Sequence, residues 1–203
     1  MATSSMKTLR LGLWIAVGVA AVGLGFAALL LPRLSTQPSA APYGAGDYEL
    51  VDHDGAPVTD ATFAGGKPSL VFFGFTHCPE VCPTTLYEMA GWFEALGPEG
   101  EDLNAFFVTV DPERDTPDML KAYVTAPTDR VLGITGSSEE IAQAIEAWHV
   151  HAERIPLEGG DYTMDHTASV FLIGPRGEFE GTIAYREAGD VALGKIRSLL
   201  AKS

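Results

Sequence analysis

The sequence LVFFGFTHCPEVCPTTLYEM, residues Leu70–Met89, decides the expected fold. Its first part, Leu70–Phe75, is apolar throughout, as in a buried strand, and a segment with helical spacing of apolar residues runs from Leu86 to Leu96. The only two cysteines of the chain, Cys78 and Cys82, lie between these two segments. Paired thiols at a strand–helix junction are typical of redox sites and of soft-metal sites.

Two prolines restrict where the helix begins, because proline is tolerated only in the first turn of a helix. Pro79 and Pro83 are four residues apart, so both cannot open one regular helix. We expect Pro83 to be the first helical residue, Cys82 its N-cap and Cys78–Val81 a tight turn. Both sulfurs would then lie near the positive end of the helix dipole, which favours thiolates.

The C-x-x-x-C spacing permits two kinds of chemistry. Residues one helical turn apart have neighbouring side chains, about 6 Å apart, so two thiolates can converge on one metal ion. The same separation lies within the range of a disulfide. A bridge here would close a very small loop and constrain little of the unfolded chain, so a purely structural staple is not expected. A dithiol redox couple and a pair of metal ligands both remain open.

An uncharged, almost wholly apolar segment of 21 residues, Leu11–Leu31, precedes this region. As a helix it would be about 31 Å long, which matches a bilayer core. The apolar part of a cleaved signal peptide, the competing interpretation, is usually shorter, roughly 7–15 residues. We therefore predict a transmembrane anchor over residues 11–31. Residues 32–45 are rich in Pro, Ser, Ala and Gly, and we predict that they form a flexible tether to a domain spanning residues 46–203.

Charge sets the expected orientation and excludes one class of partner. Lys7 and Arg10 precede the apolar segment, which places residues 1–10 in the cytoplasm and the domain in the periplasm of a bacterium, anchored in the inner membrane. The 27 acidic and 13 basic residues give a formal net charge of −14. A nucleic-acid-binding protein needs a basic face, so no nucleic acid is expected as a partner.

The rest of the chain alternates strand and helix patterns, which predicts an α/β fold. A capping residue, Asp115 or Thr116, precedes one predicted helix, and Ser137 precedes the next. We expect a thioredoxin-like, three-layer fold with a central mixed sheet, in which the cysteine turn lies at the carboxyl end of a strand. The predicted strands are 47–51, 70–75, 105–110, 131–135, 169–173 and 178–184; the helices are 117–123, 141–148 and 191–200; residues 149–160 are predicted to be irregular.

Five histidines are candidates for a third functional group. His53, in an apparent turn, and His149 and His151, in the irregular segment, are expected to be solvated. The His149-x-His151 pair has no third partner nearby and is only a weak metal-site signal. His77 directly precedes the first cysteine. His166 stands out, because in thioredoxin-like architectures the loop before the following strand faces the dithiol helix, an argument by fold analogy.

Three ordered motifs resemble the Sco/SenC proteins. They are FxFTHCPxVCPT at Phe73–Thr84, VDPxRDTP at Val110–Pro117 and DHTAxxFLI at Asp165–Ile173. The resemblance covers the predicted anchor and essentially all of residues 46–203. Members of this family are anchored, thioredoxin-like copper-binding proteins that help to assemble the dinuclear CuA site of cytochrome c oxidase subunit II.

The resemblance implies that Cys78, Cys82 and His166 are copper ligands. Two thiolates suit Cu(I), and an added imidazole gives a three-coordinate site that also accommodates Cu(II). Asp111 and Asp115, although they lie in a family motif, are expected to be turn and cap residues rather than ligands.

The resemblance therefore predicts a membrane-anchored copper chaperone that is not an enzyme. Its expected partners are cytochrome c oxidase subunit II, another periplasmic copper carrier and the inner membrane. The alternative is an enzyme, a periplasmic thiol–disulfide oxidoreductase that reduces the CuA cysteines and has no need of His166. The absence of a C-x-x-C spacing counts against it. A peroxidase-like or copper-sensing redox protein has little beyond the thiols in its favour.

Overall fold

The computed structural model describes residues 14, 15, 18, 19, 21 and 41–202. The chain divides into two compact units, Met1–Ala40 and Ala41–Ser203. The five described residues of the first unit are helical, and no helix among the described residues is long and apolar enough to cross a bilayer. Apart from those five residues, the predicted cytoplasmic segment, the predicted anchor over residues 11–31 and the first part of the predicted tether lie outside the described residues.

Residues 41–202 form strands and helices in alternation. The strands are β1 Leu50–Asp52, β2 Pro57–Val58, β3 Ser69–Gly74, β4 Asn104–Thr109, β5 Leu132–Thr135, β6 Ala152–Pro156, β7 Tyr162–His166, β8 Val170–Ile173 and β9 Phe179–Ile183. The helices are α1 Asp60–Phe63, α2 Val81–Leu96, α3 Pro117–Val124, α4 Ser138–Ala147 and α5 Gly189–Leu200, with a 3₁₀ helix at Gly97–Asp102. Seven strands form one sheet in the order β2-β1-β5-β4-β3-β8-β9, and β6 pairs with β7 in a second sheet.

The register of β3 brings the cysteine turn to the residues before β8. Every residue of β3 is buried, as its apolar sequence predicts. The strand pairs in parallel with β4 and antiparallel with β8, with Phe72 opposite Val170. Because antiparallel partners run in opposite directions, the chain that leaves Gly74 passes the chain that enters Val170. The cysteine turn and His166 therefore meet at the same edge of the sheet.

Helices lie on both faces of the large sheet. Successive side chains of a strand point to opposite faces. Phe72 makes an edge-to-face contact with Phe107, whose ring contacts Tyr123 of α3. Phe73 points the other way and contacts Trp148, at the C-terminal end of α4. The predicted α/β fold with a central mixed sheet is thus confirmed.

The predicted elements after residue 70 are present, with boundaries shifted by a few residues. The predicted caps are also found. Thr116 accepts a hydrogen bond from the Met119 amide and caps α3, and Ser137 does the same for the Glu140 amide at α4. The first predicted strand, 47–51, lies further along the chain at Leu50–Asp52.

The prediction of an irregular segment over residues 149–160 is wrong. Ala152–Pro156 forms β6, which pairs antiparallel with Tyr162–His166 of β7, so that Ala152 lies opposite His166. Glu153–Pro156 are all exposed, although they belong to a strand. Periodicity in the sequence reveals a strand when one of its faces is buried. This strand buries too little of its surface to show that alternation.

The folded domain begins before residue 46. Tyr43, predicted to be part of the tether, donates its backbone N–H to the carbonyl of Gly177 at 2.7 Å and its hydroxyl to the carbonyl of Trp148 at 3.0 Å. Its ring centroid also lies 4.8 Å from that of Phe179. An aromatic ring with these partners is part of the domain, so residues 41–45 do not behave as the predicted tether.

Candidate metal centre

The helix after the cysteine turn begins two residues earlier than predicted. α2 starts at Val81, with Glu80 as its N-cap, so the expected start at Pro83 and the expected N-cap role of Cys82 are wrong. Pro83 is the third helical residue, where a backbone N–H has no intrahelical acceptor, so proline costs nothing there. Cys82 is the second helical residue, and its N–H donates to Cys78 Sγ at 3.4 Å.

A buried carboxylate fixes the turn that leads to Cys78. Asp115 is fully buried. It accepts hydrogen bonds from the hydroxyl of Thr76 at 2.6 Å, from the N–H of Thr76 and from the hydroxyl of Thr109 at 2.6 Å. Thr116 rather than Asp115 is therefore the cap of α3, and Asp115 instead fastens the cysteine turn to β4. Its position after a buried strand is the only sequence signal of this role.

Gly74, the last residue of β3, leaves the space that the sulfur of Cys82 occupies. A Cβ atom at this position would lie 2.8 Å from Cys82 Sγ and 3.0 Å from the ring of Phe107. These contacts are too close for any real side chain, so the site depends on a glycine here. Sequence reasoning missed this residue, although it ends the strand directly before the cysteine motif.

Cys78, Cys82 and His166 come together at the N-terminus of α2. Their ligand atoms all lie within 4.8 Å of one another. His166 Nε2 lies 3.5 Å from Cys82 Sγ. Among the described residues, these three form the one group of at least three His, Cys, Asp or Glu side chains that could share a metal ion. The structure thus brings together the three residues that the sequence predicts.

The hydrogen bonds of His166 leave the correct ring nitrogen free to bind. Its Nδ1 lies 3.0 Å from the carbonyl oxygen of Thr167, which can only accept, so Nδ1 carries the proton. Nε2 then presents its lone pair to Cys82. The rings of Phe75 and Phe72 lie against the imidazole at 5.7 and 6.0 Å between centroids and restrict its orientation.

The two thiols differ strongly in proton affinity. The thiol of Cys82 donates a hydrogen bond to Cys78, and this bond, together with backbone N–H groups, lowers the pKa of Cys78 to about 4. The same hydrogen bond, together with burial, raises the pKa of Cys82. At neutral pH the half-buried Cys78 is a thiolate, whereas the fully buried Cys82 keeps its proton.

The donor set fits a soft metal ion. Donor atoms that share one first-row metal at about 2.0–2.3 Å lie roughly 3.5–4 Å apart, so these residues need only a small movement to bind together. Two sulfurs and one imidazole nitrogen are donors that copper accepts in both oxidation states.

The site opens into a surface groove of about 380 Å³. Cys78, Pro79 and His166 are among its lining residues. Met164, two residues before His166 on β7, also lines the groove and packs against the hydrophobic core.

The other histidines lie elsewhere. His53 was expected to be solvated, but its side chain is only 7% exposed, and its Nδ1 accepts a hydrogen bond from the N–H of Gly133 at 3.0 Å. His149 and His151 are exposed, as expected. His77 is exposed too, with Nδ1 3.1 Å from the hydroxyl of Thr76.

Comparisons with known proteins agree with this site. The SCO1/SenC family model matches residues 36–201. Protein SCO1 homolog, mitochondrial, of Mus musculus is 40% identical over 141 residues, which are 68% of this chain and 49% of that protein. The chain thus spans about half the length of the curated relatives it matches first.

Solved structures show the same fold. Bradyrhizobium japonicum ScoI with copper bound is 39% identical, with a TM-score of 0.70 over 76% of this chain and 99% of that one. BsSco, a protein with a disulfide switch from the Sco family of cytochrome c oxidase assembly proteins, is 25% identical, with a TM-score of 0.62 over 80% of this chain and 96% of that one.

Proposed function

Because this chain belongs to the SCO1/SenC family, we propose that it is a copper chaperone anchored in a bacterial inner membrane, which binds copper through Cys78, Cys82 and His166. We propose that it supports assembly of the CuA site of cytochrome c oxidase subunit II. The observation that carries the proposal is the convergence of two sulfurs and one deprotonated ring nitrogen at the mouth of a groove.

Each of the three residues has its own part in binding the metal. Cys78 lines the groove and is already a thiolate at neutral pH, so it meets an incoming ion first. Cys82 is buried and must release its proton when the ion arrives, which makes binding dependent on pH. His166 completes the site with Nε2. A site with only three donors leaves room for a ligand of the partner to attack, as transfer requires.

The relatives support this proposal in two ways. A 39% identical ScoI is solved with copper bound, and the Sco family is described as one of cytochrome c oxidase assembly proteins. We propose that a separate periplasmic copper carrier loads the site and that subunit II receives the metal. The periplasmic location and the anchor over residues 11–31 are proposals that rest on the apolar segment and on Lys7 and Arg10.

A transfer assay tests the proposal. Chaperone loaded with Cu(I) and chaperone loaded with Cu(II) are mixed in equal amounts with the metal-free, reduced CuA domain of subunit II, and the purple absorption of the mixed-valence CuA centre is followed. We expect the absorption to develop with the wild-type protein and to be lost with Cys78→Ser or Cys82→Ser. Loaded protein that keeps its copper in the presence of this domain would refute the transfer function.

Thiol–disulfide exchange is the second candidate, favoured by the low pKa of Cys78. In this reaction the Cys78 thiolate attacks a disulfide of subunit II and forms a mixed disulfide, which releases one partner thiolate. Cys82, after losing its proton, then attacks Cys78 Sγ and releases the second. Two electrons pass to the partner, and Cys78 and Cys82 end as a disulfide. Metal-free protein that reduces an oxidised CuA domain, equally well with His166→Ala, would support this function.

A further inference from the structure

The hairpin that carries His166 is not part of the large sheet. Among the described strands, β6 and β7 pair only with each other. One face of the hairpin is exposed and carries His151 and Asp165, whose side chains form an ion pair at 3.5 Å. No ladder of hydrogen bonds between this hairpin and the described strands of the large sheet therefore fixes His166 beside the cysteines, and other contacts must do so.

Tyr162, the first residue of β7, provides such contacts. Its ring lies between two guanidinium groups, with Arg114 Cζ 3.7 Å and Arg154 Cζ 4.0 Å from the ring centroid. Its hydroxyl donates to Asp111 Oδ1 at 2.8 Å. We call these four residues, Tyr162, Arg114, Arg154 and Asp111, the tyrosine clamp.

The clamp joins the hairpin to the turn after β4. Arg114 donates from Nε to the carboxylate of Asp111 and from Nη1 to the backbone carbonyl of Tyr162 at 3.0 Å. On the outer side, Arg154 of β6 donates to Glu113 at 2.6 Å. Both strands of the hairpin are thus held by residues 111–114, which precede α3.

Burial strengthens these contacts. Asp111 is only 2% exposed, and the side chain of Arg114 is 18% exposed. Arg114 Nη2 is buried without a hydrogen-bond partner among the described residues. A cation over an aromatic ring contributes more to stability when water is excluded. A buried charge that loses one of its partners destabilises the fold. The clamp is therefore sensitive to the loss of the tyrosine ring.

The clamp also contacts the metal centre through Phe75. Arg114 Cζ lies 5.9 Å from the ring centroid of Phe75, and the Phe75 ring packs edge to face against His166. Tyr162 and His166 are four residues apart, so they lie on the same face of β7, about 13 Å apart along the strand. The clamp holds one end of this strand, and His166 meets the cysteines at the other.

We propose that Tyr162 is a positioning residue for His166, which keeps Nε2 within reach of the metal by holding the hairpin against the domain. This inference deepens the proposed function and rests on it for the role of His166. The inference predicts different effects on the binding of Cu(I) and of Cu(II). Cu(I) can remain on the two thiolates when the hairpin moves, whereas Cu(II) needs the nitrogen ligand.

Tyr162→Leu in the metal-free, reduced protein and in the copper-bound protein tests this inference. We expect the amides of β6 and β7 to exchange about tenfold faster with solvent, with β3 and β4 unchanged, and the ring-current shifts of the His166 ring to decrease. We expect Cu(II) binding to weaken about tenfold or more and Cu(I) binding by less than about threefold. Tyr87→Leu is the matched control, because Tyr87 is an exposed tyrosine on α2 that lines a different groove with Gly91.

A double-mutant cycle distinguishes positioning from a general loss of structure. In a His166→Ala background, Tyr162→Leu should have no further effect on Cu(II) affinity. An equal loss with and without His166 would overturn the inference, as would unchanged hairpin exchange or Cu(II) affinity that stays at the wild-type level. If the wild-type protein bound no copper, the proposed function would fail, and the exchange rates and His166 shifts would still decide whether Tyr162 positions this ring.

Discussion

Cys78 and Cys82 differ in exposure and in proton affinity, although only three residues separate them. The thiolate is the nucleophile in alkylation. Because the pKa of Cys78 is lowered from 9.0 to about 4, its thiolate persists across neutral pH and is lost only as the pH falls through about 4. We therefore predict that iodoacetamide modifies Cys78 before Cys82 in the reduced, metal-free protein, at a rate almost constant from neutral pH down to about pH 5.

Mass spectrometry of the alkylated peptides over a series of pH values measures this rate. The Cys78→Ser variant is the control, since it leaves only the buried Cys82. A rate that rises about tenfold per pH unit up to about pH 8, as for an ordinary thiol, would show that the pKa of Cys78 is not lowered.

Gly74 is the second residue on which the geometry of the centre depends. Its Cα faces Cys82 Sγ, and an added Cβ atom would lie 2.8 Å from that sulfur. We predict that Gly74→Ala displaces Cys82, weakens copper binding and destabilises the fold by about 1–3 kcal/mol, as overpacking does.

Gly91→Ala is the matched control, since a Cβ atom on this residue of α2 meets nothing within 4 Å. Alanine in a helix interior should stabilise the protein by roughly 0.5–1 kcal/mol. Copper titration and urea denaturation of both variants check the pair. Equal copper affinity in Gly74→Ala and in the wild type would contradict the geometry.

Among the contacts between elements, Asp115 fastens the cysteine turn to β4, because it accepts hydrogen bonds from Thr76 of the turn and from Thr109 of β4. We predict that Asp115→Asn destabilises the protein by about 1–3 kcal/mol, because an amide cannot accept hydrogen bonds from Thr76 and Thr109 with both of its polar atoms. Asp118→Asn, on the exposed first turn of α3, should cost less than about 1 kcal/mol. Urea denaturation compares the two variants, and equal midpoints would mean that Asp115 does not brace the turn.

The sequence predicts those elements that bury an apolar face and misses those that do not. β3 is apolar throughout and was predicted almost to the residue. β6 has mostly exposed side chains and depends on pairing with β7, so its sequence shows no alternation of apolar and polar residues that would predict a strand. The start of α2 was missed because proline is tolerated at three positions of a first helical turn, and the sequence does not choose among them.

The residues of the metal centre could be predicted from the sequence, but the contacts that support them could not. The family resemblance implies Cys78, Cys82 and His166 as ligands, and the structure brings them together. The brace at Asp115 and the clamp at Tyr162 join segments that are far apart in the chain. Such long-range pairs leave no local pattern in one sequence.

Truncation can test where the folded domain begins. We predict that a fragment of residues 41–203 folds as a soluble domain and is more stable than a fragment of residues 46–203. The shorter one lacks Tyr43, which bonds Gly177 and Trp148 and packs on Phe179. The loss of these contacts should cost about 2–3 kcal/mol and lower the melting temperature by about 5–10 °C.

Thermal unfolding followed by circular dichroism measures the difference, with Tyr43→Ala in the longer fragment as the control. That variant should account for most of the loss. Identical melting temperatures for the two fragments would place the start of the domain at residue 46 after all.

The measurement that tests the three-ligand copper site most directly is titration of residues 41–203, wild type and His166→Ala, with Cu(I) and with Cu(II). Two thiolates suffice for Cu(I), so its binding should weaken only partly in the variant. Cu(II) prefers nitrogen ligands and higher coordination, so its binding should weaken much further. His151→Ala, an exposed histidine on the same hairpin, should bind both ions as the wild type does. If His166→Ala bound Cu(II) as tightly as the wild-type protein, His166 would not be a ligand and the three-ligand chaperone would be wrong.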